Sequence, residues 1–197
     1  MQQKGAKIRL AMMASGSGTN VANFIEYFKL HDFIEVALIV SNDPDAQVLK
    51  RAAKTKIPHV VFRREQWSDQ ELVLGLFRQS HIDFVVLAGF LLLVPDYLLK
   101  EFPARVVNIH PALLPKFGGK GMYGMRVHEE VIRQGEYQTG ITIHYVNERY
   151  DEGEIIFQSG FDLEPDDTPE TIAAKVHQLE YKYYPGVIEE LVQNLEL

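Results

Sequence analysis

The sequence predicts an α/β fold in which helices flank a mostly parallel, twisted sheet. Strand-like and helix-like segments alternate along the chain, which is typical of βαβ units. Residues 84–88 are almost continuously apolar, as expected of a central strand buried on both faces. Small residues at positions 15–20 connect the first predicted strand to the first predicted helix. These observations together indicate a Rossmann-like arrangement.

The first half of the chain contains four predicted strands and three predicted helices. Apolar residues at positions 21, 24, 25 and 28 have helical spacing, with Thr19 or Asn20 as the expected N-cap. Turn-forming residues at 41–44 end the second strand. The predicted strands are 7–14, 34–40, 59–62 and 84–88, and the predicted helices are 21–28, 47–54 and 69–80.

The second half begins with a short helix that Pro95 opens and that continues to about residue 101. A β-branched strand starts at Val106, and residues 116–124, with four glycines, predict a mobile loop. A helix over 126–133 and two strands follow, and a final helix begins at 168–169 with an expected break at Pro185. The two strands, 139–146 and 154–161, are expected to pair through the polar connection 147–153.

Length and composition limit the functions that are open to this chain. Its 197 residues, 46% of them hydrophobic, are enough for one sizeable core, so we expect a single domain over 1–197. The absence of cysteine excludes disulfides, thiolate catalysis and cysteine-bound zinc. A net charge of -7 gives no overall attraction to nucleic acid, and no signal sequence or membrane-length apolar run is present. We therefore expect a cytoplasmic protein with neither nucleic-acid nor membrane partners.

The candidate reacting centre lies where the strand that starts at Val106 ends. Pro111 cannot donate a ladder hydrogen bond and so terminates the strand. Asn108 and His110 are two residues apart, and they therefore project from the same face of its carboxyl end. An amide donor beside an imidazole suits the stabilisation of an anionic oxygen and the movement of a proton.

The loop after the first strand is a candidate phosphate site. Backbone N–H groups at a helix N-terminus attract anions, and Gly16 and Gly18 allow close approach. The third glycine of a dinucleotide fingerprint is replaced by Val21, and no glycine-lysine-serine/threonine triplet marks a nucleotide P-loop. The pattern therefore favours a single phosphate on a small molecule, although a tightly capped turn explains it equally well.

Asp151, in the polar connection 147–153, is a candidate partner for His110. A carboxylate can orient an imidazole and stabilise its cation, but an isolated loop aspartate is usually a solvated turn residue. His144 shares a strand face with Thr142, and a structural role is its commoner explanation. The spacing of His110, His128 and His144 matches no metal-ligand pattern, so we expect no metal.

Residues 108–116, Asn-Ile-His-Pro-Ala-Leu-Leu-Pro-Lys, closely resemble the signature of folate-dependent formyltransferases. The resemblance extends along nearly the whole chain, because several further segments match in order and spacing. These are residues 15–20, 40–42, 85–90, 139–144 and 150–153.

The resemblance implies that 10-formyltetrahydrofolate, a co-substrate, donates its formyl group to the amine of glycinamide ribonucleotide in purine synthesis. Asn108 and His110 would then stabilise the tetrahedral oxyanion. Asp151 would orient His110 and manage proton transfer through an ordered water. Attack of a neutral amine on a formyl carbon needs both an oxyanion donor and a proton relay, so the implied roles agree with the chemistry of these side chains.

The resemblance also implies three groups of binding residues. Glu180 would hold the ribose hydroxyls or the amine, although it is equally explained as a solvated helix-face charge. The phosphate would lie on Gly16, Ser17, Gly18, Thr19 and Asn20. The folate would contact Phe90, Leu91, Leu92, Leu93, Val94, Arg149 and Tyr150, of which the apolar run is also explained as core. The chain departs from the commonest family pattern at loop residues 118–123, at Arg126 and at Leu92, and the resemblance leaves monomer and homodimer open.

Three alternatives share this fold. A formyltetrahydrofolate hydrolase would use water as acceptor but usually carries an additional N-terminal domain, whereas the first strand is expected here at about residue 7. A formyltransferase acting on initiator tRNA would add a C-terminal domain and a basic surface, which this acidic chain is not expected to have. A non-catalytic phosphosugar-binding protein would need only the glycine loop.

Overall fold

The computed structural model describes residues 7–195. It contains one seven-stranded sheet in the order β3-β2-β1-β4-β5-β6-β7. The strands are β1 (Ile8–Met13), β2 (Ile34–Ser41), β3 (His59–Val61), β4 (Phe84–Leu87), β5 (Val106–His110), β6 (Gln138–Tyr145) and β7 (Ile155–Asp162). The helices are α1 (Thr19–Tyr27), α2 (Gln47–Ala52), α3 (Gln70–Gln79), α4 (Asp96–Glu101), α5 (Met125–Arg133) and α6 (Pro169–Gln193), with a 3-10 turn over Arg64–Ser68.

The first five strands of the sheet order are parallel, and β6 and β7 are antiparallel to their neighbours. This confirms the predicted mostly parallel α/β sheet and the pairing of the last two strands. The carboxyl ends of β1, β4 and β5 lie next to one another. Side chains that follow these three strands therefore meet at one edge of the sheet.

Both faces of the central strands are buried. Leu10 and Met12 pack on one face, whereas Ala11 and Met13 pack on the other, because successive strand residues point to opposite sides. Helices cover both layers, which is the usual reason that parallel strands are apolar throughout. The core is thus two apolar clusters with the sheet between them.

The N-cap of α1 is Gly18, and the prediction of Thr19 or Asn20 was wrong. Gly18 adopts φ 68°, and no side chain caps the helix. Asn20 is buried within the first turn, where its side-chain N–H donates to Glu180 on α6, and its side-chain oxygen, the atom that would accept a capping bond, has no partner among the described residues. Because Gly18 begins the helix, Asn20 lies inside the first turn and its side chain contacts α6.

Helix α6 runs without interruption through Pro185, contrary to the predicted break. A proline inside a helix leaves the carbonyl four residues earlier without its N–H partner. That carbonyl belongs to Tyr181, and it accepts instead from the side-chain amide of Asn23 at 3.0 Å. The contact with α1 therefore satisfies the group that the proline leaves unpaired. Among residues 7–195, no helix has the length and apolar character needed to cross a membrane.

Candidate active site

The structure brings together the three predicted catalytic side chains. Strand β5 carries Asn108 and His110, and Asp151 lies in the connection between β6 and β7 with φ 57°. His110 Nδ1 is 3.5 Å from Asp151 Oδ2. His110 is 3% exposed and the Asp151 side chain 11%, so their interaction is only weakly screened by water.

His144 is a fourth member of this cluster. Its Nδ1 donates to the carbonyl of Tyr145 at 2.8 Å, so its Nε2 is free to accept from the Asn108 amide at 3.1 Å. The same Nε2 is 3.6 Å from Asp151 Oδ1. Sequence reasoning gave His144 a structural role, because the signal for this contact is the pairing of Asn108 with His144 across β5 and β6. That register depends on tertiary structure.

The loop over residues 116–124 contacts the centre through its backbone. The carbonyl of Phe117 accepts a hydrogen bond from His110 Nε2 at 2.8 Å. The N–H of Gly119 donates to Asp151 Oδ2 at 2.9 Å. A Cβ at Gly118 would lie 2.5 Å from a methyl carbon of Leu114 and 3.2 Å from Asp151 Cβ, so a larger residue there would have to displace the Leu114 side chain and press on Asp151. The loop is therefore beside the centre as predicted, whereas its mobility stays a prediction.

The electrostatics of the cluster favour a neutral imidazole beside an ionised carboxylate. Burial lowers the pKa of His110, and this outweighs the opposing effect of the Asp151 charge. Burial acts to raise the pKa of Asp151, but its polar partners, among them the Gly119 N–H that donates to Oδ2, lower it overall. Since the Phe117 carbonyl fixes hydrogen on His110 Nε2, the unprotonated Nδ1 faces the carboxylate. A proton taken up on Nδ1 would complete an ion pair with Asp151.

The predicted phosphate loop lies between β1 and α1. A Cβ at Gly18 would be 2.5 Å from the side chain of Val48 on α2, so both the left-handed backbone and the packing require glycine there. The described residues provide no acceptor for the backbone N–H groups of Ser17, Gly18 and Thr19. These groups, at the N-terminus of α1, are available to an anion.

Glu180 lies beside this loop. It is 6% exposed, and its carboxylate accepts a hydrogen bond from Asn20 at 2.9 Å. Burial raises the pKa of Glu180, although the Asn20 amide and the charge of His177 oppose this effect. The explanation of Glu180 as a solvated surface charge is therefore wrong, because the structure buries it against the candidate phosphate site.

The residues expected to bind folate occupy different environments. Phe90 and Val94 are buried, and Phe90 packs against Trp67 with ring centroids 5.3 Å apart. Leu91 and Leu93 are exposed, and Leu92 is intermediate. Only the middle of this run therefore offers apolar surface to a ligand.

Ser15, at the start of the glycine loop, is hydrogen-bonded to the segment 90–94 that is expected to bind folate. The Ser15 hydroxyl accepts from the N–H of Leu91 at 2.9 Å and donates to Asn42. Of the other residues expected to bind folate, Arg149 is exposed and forms an ion pair with Glu152 at 3.1 Å, and Tyr150 is half-buried. The hydrogen bond between Leu91 and Ser15 thus connects the predicted folate surface to the predicted phosphate loop.

Among residues 7–195, no three metal-ligating side chains are arranged to hold an ion. His128 is buried on α5, and burial, followed by the charges of His177 and His110, lowers its pKa to about 4. Arg126, at the start of the same helix, is exposed. Within residues 7–195, neither His128 nor Arg126 forms a hydrogen bond or ion pair with the four clustered side chains.

Comparisons with known proteins agree with this geometry. The Formyl transferase family matches residues 8–188. The chain is 42% identical to the chloroplastic phosphoribosylglycinamide formyltransferase of Arabidopsis thaliana, over 94% of this chain and 66% of that protein. It is 34% identical to the phosphoribosylglycinamide formyltransferase of Bacillus subtilis, over 93% of this chain and 94% of that protein.

A solved structure is also similar to this chain over nearly its whole length. The crystal structure of phosphoribosylglycinamide formyltransferase from Bacillus halodurans superposes with a TM-score of 0.85 and 38% identity, covering 94% of this chain and 96% of that one. The chain spans 66% and 61% of two plant relatives, from Arabidopsis thaliana and Vigna unguiculata. Since the family match covers nearly all of the described residues, this chain belongs to the formyl transferase family.

Proposed function

We propose that this chain is a phosphoribosylglycinamide formyltransferase, which transfers the formyl group of 10-formyltetrahydrofolate to the amine of glycinamide ribonucleotide in purine biosynthesis. The observation that carries the proposal is the cluster of Asn108, His110, His144 and Asp151, in which both histidines are buried. Formyl transfer to an amine needs an oxyanion donor and a proton relay, and this cluster has side chains for both.

The reaction begins when the neutral amine attacks the formyl carbon, which forms a C–N bond and places negative charge on the formyl oxygen. The Asn108 amide and His110 Nε2–H are the donors for this oxyanion. His110 Nε2–H now donates to the Phe117 carbonyl, so the oxyanion takes the place of that acceptor. Removal of one such donor typically lowers the rate about 10²- to 10³-fold.

Proton transfer completes the reaction. The attacking nitrogen gains positive charge, and Asp151 accepts its proton through an ordered water and holds His110 in position. The intermediate then collapses with cleavage of the bond to N10 of the folate, and N10 receives the proton. The lowered pKa of Asp151 supports this role, since it leaves the carboxylate unprotonated at neutral pH and therefore in the form that can accept a proton.

The two substrates meet at the carboxyl edge of the sheet. The ribonucleotide phosphate lies on the backbone N–H groups of residues 16–20, and Glu180 binds the ribose hydroxyls or the amine. The folate lies against the exposed part of residues 90–94, with Arg149 and Tyr150 at its far side. The hydrogen bonds of Ser15 and of Asn20 support this arrangement, because they join the loop to both surfaces.

The test is the consumption of 10-formyltetrahydrofolate by the purified protein, with and without glycinamide ribonucleotide, and with the formylated product quantified. We expect consumption that depends on the acceptor and yields formylglycinamide ribonucleotide. Equal consumption without acceptor would instead indicate a formyltetrahydrofolate hydrolase. No consumption under either condition would contradict both enzymatic assignments and leave a phosphosugar-binding protein.

Several features of this proposal come from sequence alone. They are a single domain over 1–197, a cytoplasmic location, the absence of metal, and the absence of nucleic-acid or membrane partners. The oligomeric state, monomer or homodimer, is to be measured by light scattering of the purified protein.

A further inference from the structure

Helix α2 packs against the glycine loop and binds two of its carbonyl groups. The backbone N–H of Val48 donates to the carbonyl of Gly16 at 3.0 Å. The side chain of Arg51 donates from Nε to the carbonyl of Ser17 at 2.8 Å. Consecutive peptide carbonyls of the loop are therefore both directed towards α2.

These two bonds determine where the loop directs its donors. In a trans peptide the carbonyl and the following N–H point in opposite directions. The bond to Gly16 therefore turns the N–H of Ser17 away from α2, and the bond to Ser17 turns the N–H of Gly18 away as well. The Arg51 bond thus holds one of the N–H groups that face the candidate phosphate site.

Arg51 also places a positive charge next to this loop, because its guanidinium is hydrogen-bonded to Ser17. Residues 15–20 and the rest of α1 contain no lysine or arginine. Within residues 7–195, Arg51 is the only lysine or arginine whose side chain donates to the loop, and no carboxylate lies within 4.0 Å of its guanidinium. The side chain is exposed, and only Nε is used in the bond to Ser17. Its charge and terminal N–H groups remain available at the edge of the site.

We propose that Arg51 is a positioning residue for the phosphate of the acceptor substrate. It orients the Ser17–Gly18 peptide through its Nε bond, and its charge increases the affinity of the loop for a phosphate dianion. This inference rests on the proposed function, because it assumes that the loop binds the substrate phosphate. It assigns Arg51 no part in the transfer of the formyl group.

The test compares Arg51→Met, which removes donor and charge, with Arg51→Lys, which keeps the charge. Lys50→Met is the matched control, because Lys50 is an exposed cation on the same helix without a bond to the loop. Binding of ribose 5-phosphate and of ribose is measured by calorimetry. The kcat and the KM for each substrate are measured by steady-state kinetics.

We expect Arg51→Met to weaken ribose 5-phosphate binding and to raise the KM for glycinamide ribonucleotide, each by about tenfold or more, since a hydrogen bond to a charged group is lost. The kcat and the KM for 10-formyltetrahydrofolate should stay within about twofold. Arg51→Lys should recover part of the loss, and Lys50→Met should behave as wild type.

The possible failures are distinguishable. Wild-type turnover with unchanged phosphate affinity in Arg51→Met would overturn the role of Arg51 and leave the proposed function intact. Equal losses in kcat and in the KM values of both substrates would also overturn it, because they indicate general disruption of the site. A wild-type protein that binds no ribose 5-phosphate would overturn the phosphate assignment together with this inference.

Discussion

In the candidate site, the hydrogen bonds of His110 and His144 determine which ring nitrogen of each imidazole carries a hydrogen. The Phe117 carbonyl fixes a hydrogen on His110 Nε2, and the Tyr145 carbonyl fixes one on His144 Nδ1. As a result, His110 presents Nδ1 to Asp151, whereas His144 presents Nε2 to Asn108. The two imidazoles therefore have different tasks, because one pairs with the carboxylate and the other orients the amide.

Asp151→Asn is expected to lower kcat about 10²- to 10⁴-fold, because the amide cannot accept the proton of the attacking amine. The fold should be retained, since Asn preserves the shape of the side chain. Turnover, circular dichroism and ribose 5-phosphate binding are the measurements. Glu152→Gln is the control, since Glu152 is an exposed neighbour paired only with Arg149. Near-normal turnover of Asp151→Asn would remove Asp151 from the mechanism.

The titration of His110 gives a separate test of the electrostatics. Its imidazole is expected to titrate below 6.5, because burial lowers the pKa, and still lower in Asp151→Asn, because the loss of the carboxylate removes a charge that raises it. Both midpoints are measured by NMR of histidine-labelled protein, with the resonance assigned by its absence in His110→Asn. A midpoint that rises in Asp151→Asn would contradict this account of the pair.

At the level of elements, the connection between β6 and β7 positions two members of the cluster. Asp151 lies within the connection, and His144 lies at the end of β6. A Cβ at Gly153 would be 1.7 Å from the carbonyl oxygen of Tyr145, the group that accepts from His144 Nδ1. The geometry of the connection and the orientation of His144 are therefore coupled through one carbonyl.

Gly153→Ala is expected to destabilise the protein by about 1–3 kcal/mol, because the backbone must move to remove this overlap. It should also lower kcat by about tenfold or more, since a displacement of His144 and Asp151 misaligns the reacting groups. Urea unfolding and turnover are the measurements. Gly75→Ala is the control, because Gly75 lies within α3 with no atom near its added Cβ. That change should stabilise the protein by about 0.5–1 kcal/mol, and equal effects of the two variants would contradict the argument.

At the level of the whole molecule, α6 connects the regions that form the site. Glu180 reaches Asn20 on α1, and the Tyr181 carbonyl reaches Asn23. The hydroxyl of Tyr184 is fully buried and lies 2.8 Å from the carbonyl of Leu87 and 3.2 Å from that of Val107. One helix therefore holds together α1, the carboxyl end of β4 and the beginning of β5.

Tyr184→Phe is expected to lower the free energy of unfolding by about 1–3 kcal/mol, since the buried carbonyls lose a donor while the ring packing against Phe24 is kept. The measurement is urea unfolding, with Tyr137→Phe as control because the Tyr137 side chain is 89% exposed. Equal stability of the two variants would show that the hydroxyl does not connect α6 to the sheet.

The sequence by itself determined the class of the fold and the chemistry of the central strand. The spacing of apolar residues, the runs of β-branched residues and the positions of glycine are local properties of the sequence, so the alternation of strands and helices was predictable. The two-residue separation of Asn108 and His110 was likewise enough to place them on one face. Side-chain chemistry made Asp151 a candidate partner for His110, and the family resemblance gave Asp151 its role and identified Glu180 as a candidate.

Only the tertiary structure decided which distant groups meet. The place of His144 depends on the register between β5 and β6, and the environment of Glu180 depends on the packing of α6 against α1. Two local predictions failed where α1 meets α6, since Asn20 lies inside α1 and donates to Glu180, and Asn23 donates to the carbonyl that Pro185 leaves unpaired. Hydrogen bonds between residues more than a hundred positions apart have no local sequence signal, because they form only when the packed elements bring donor and acceptor together.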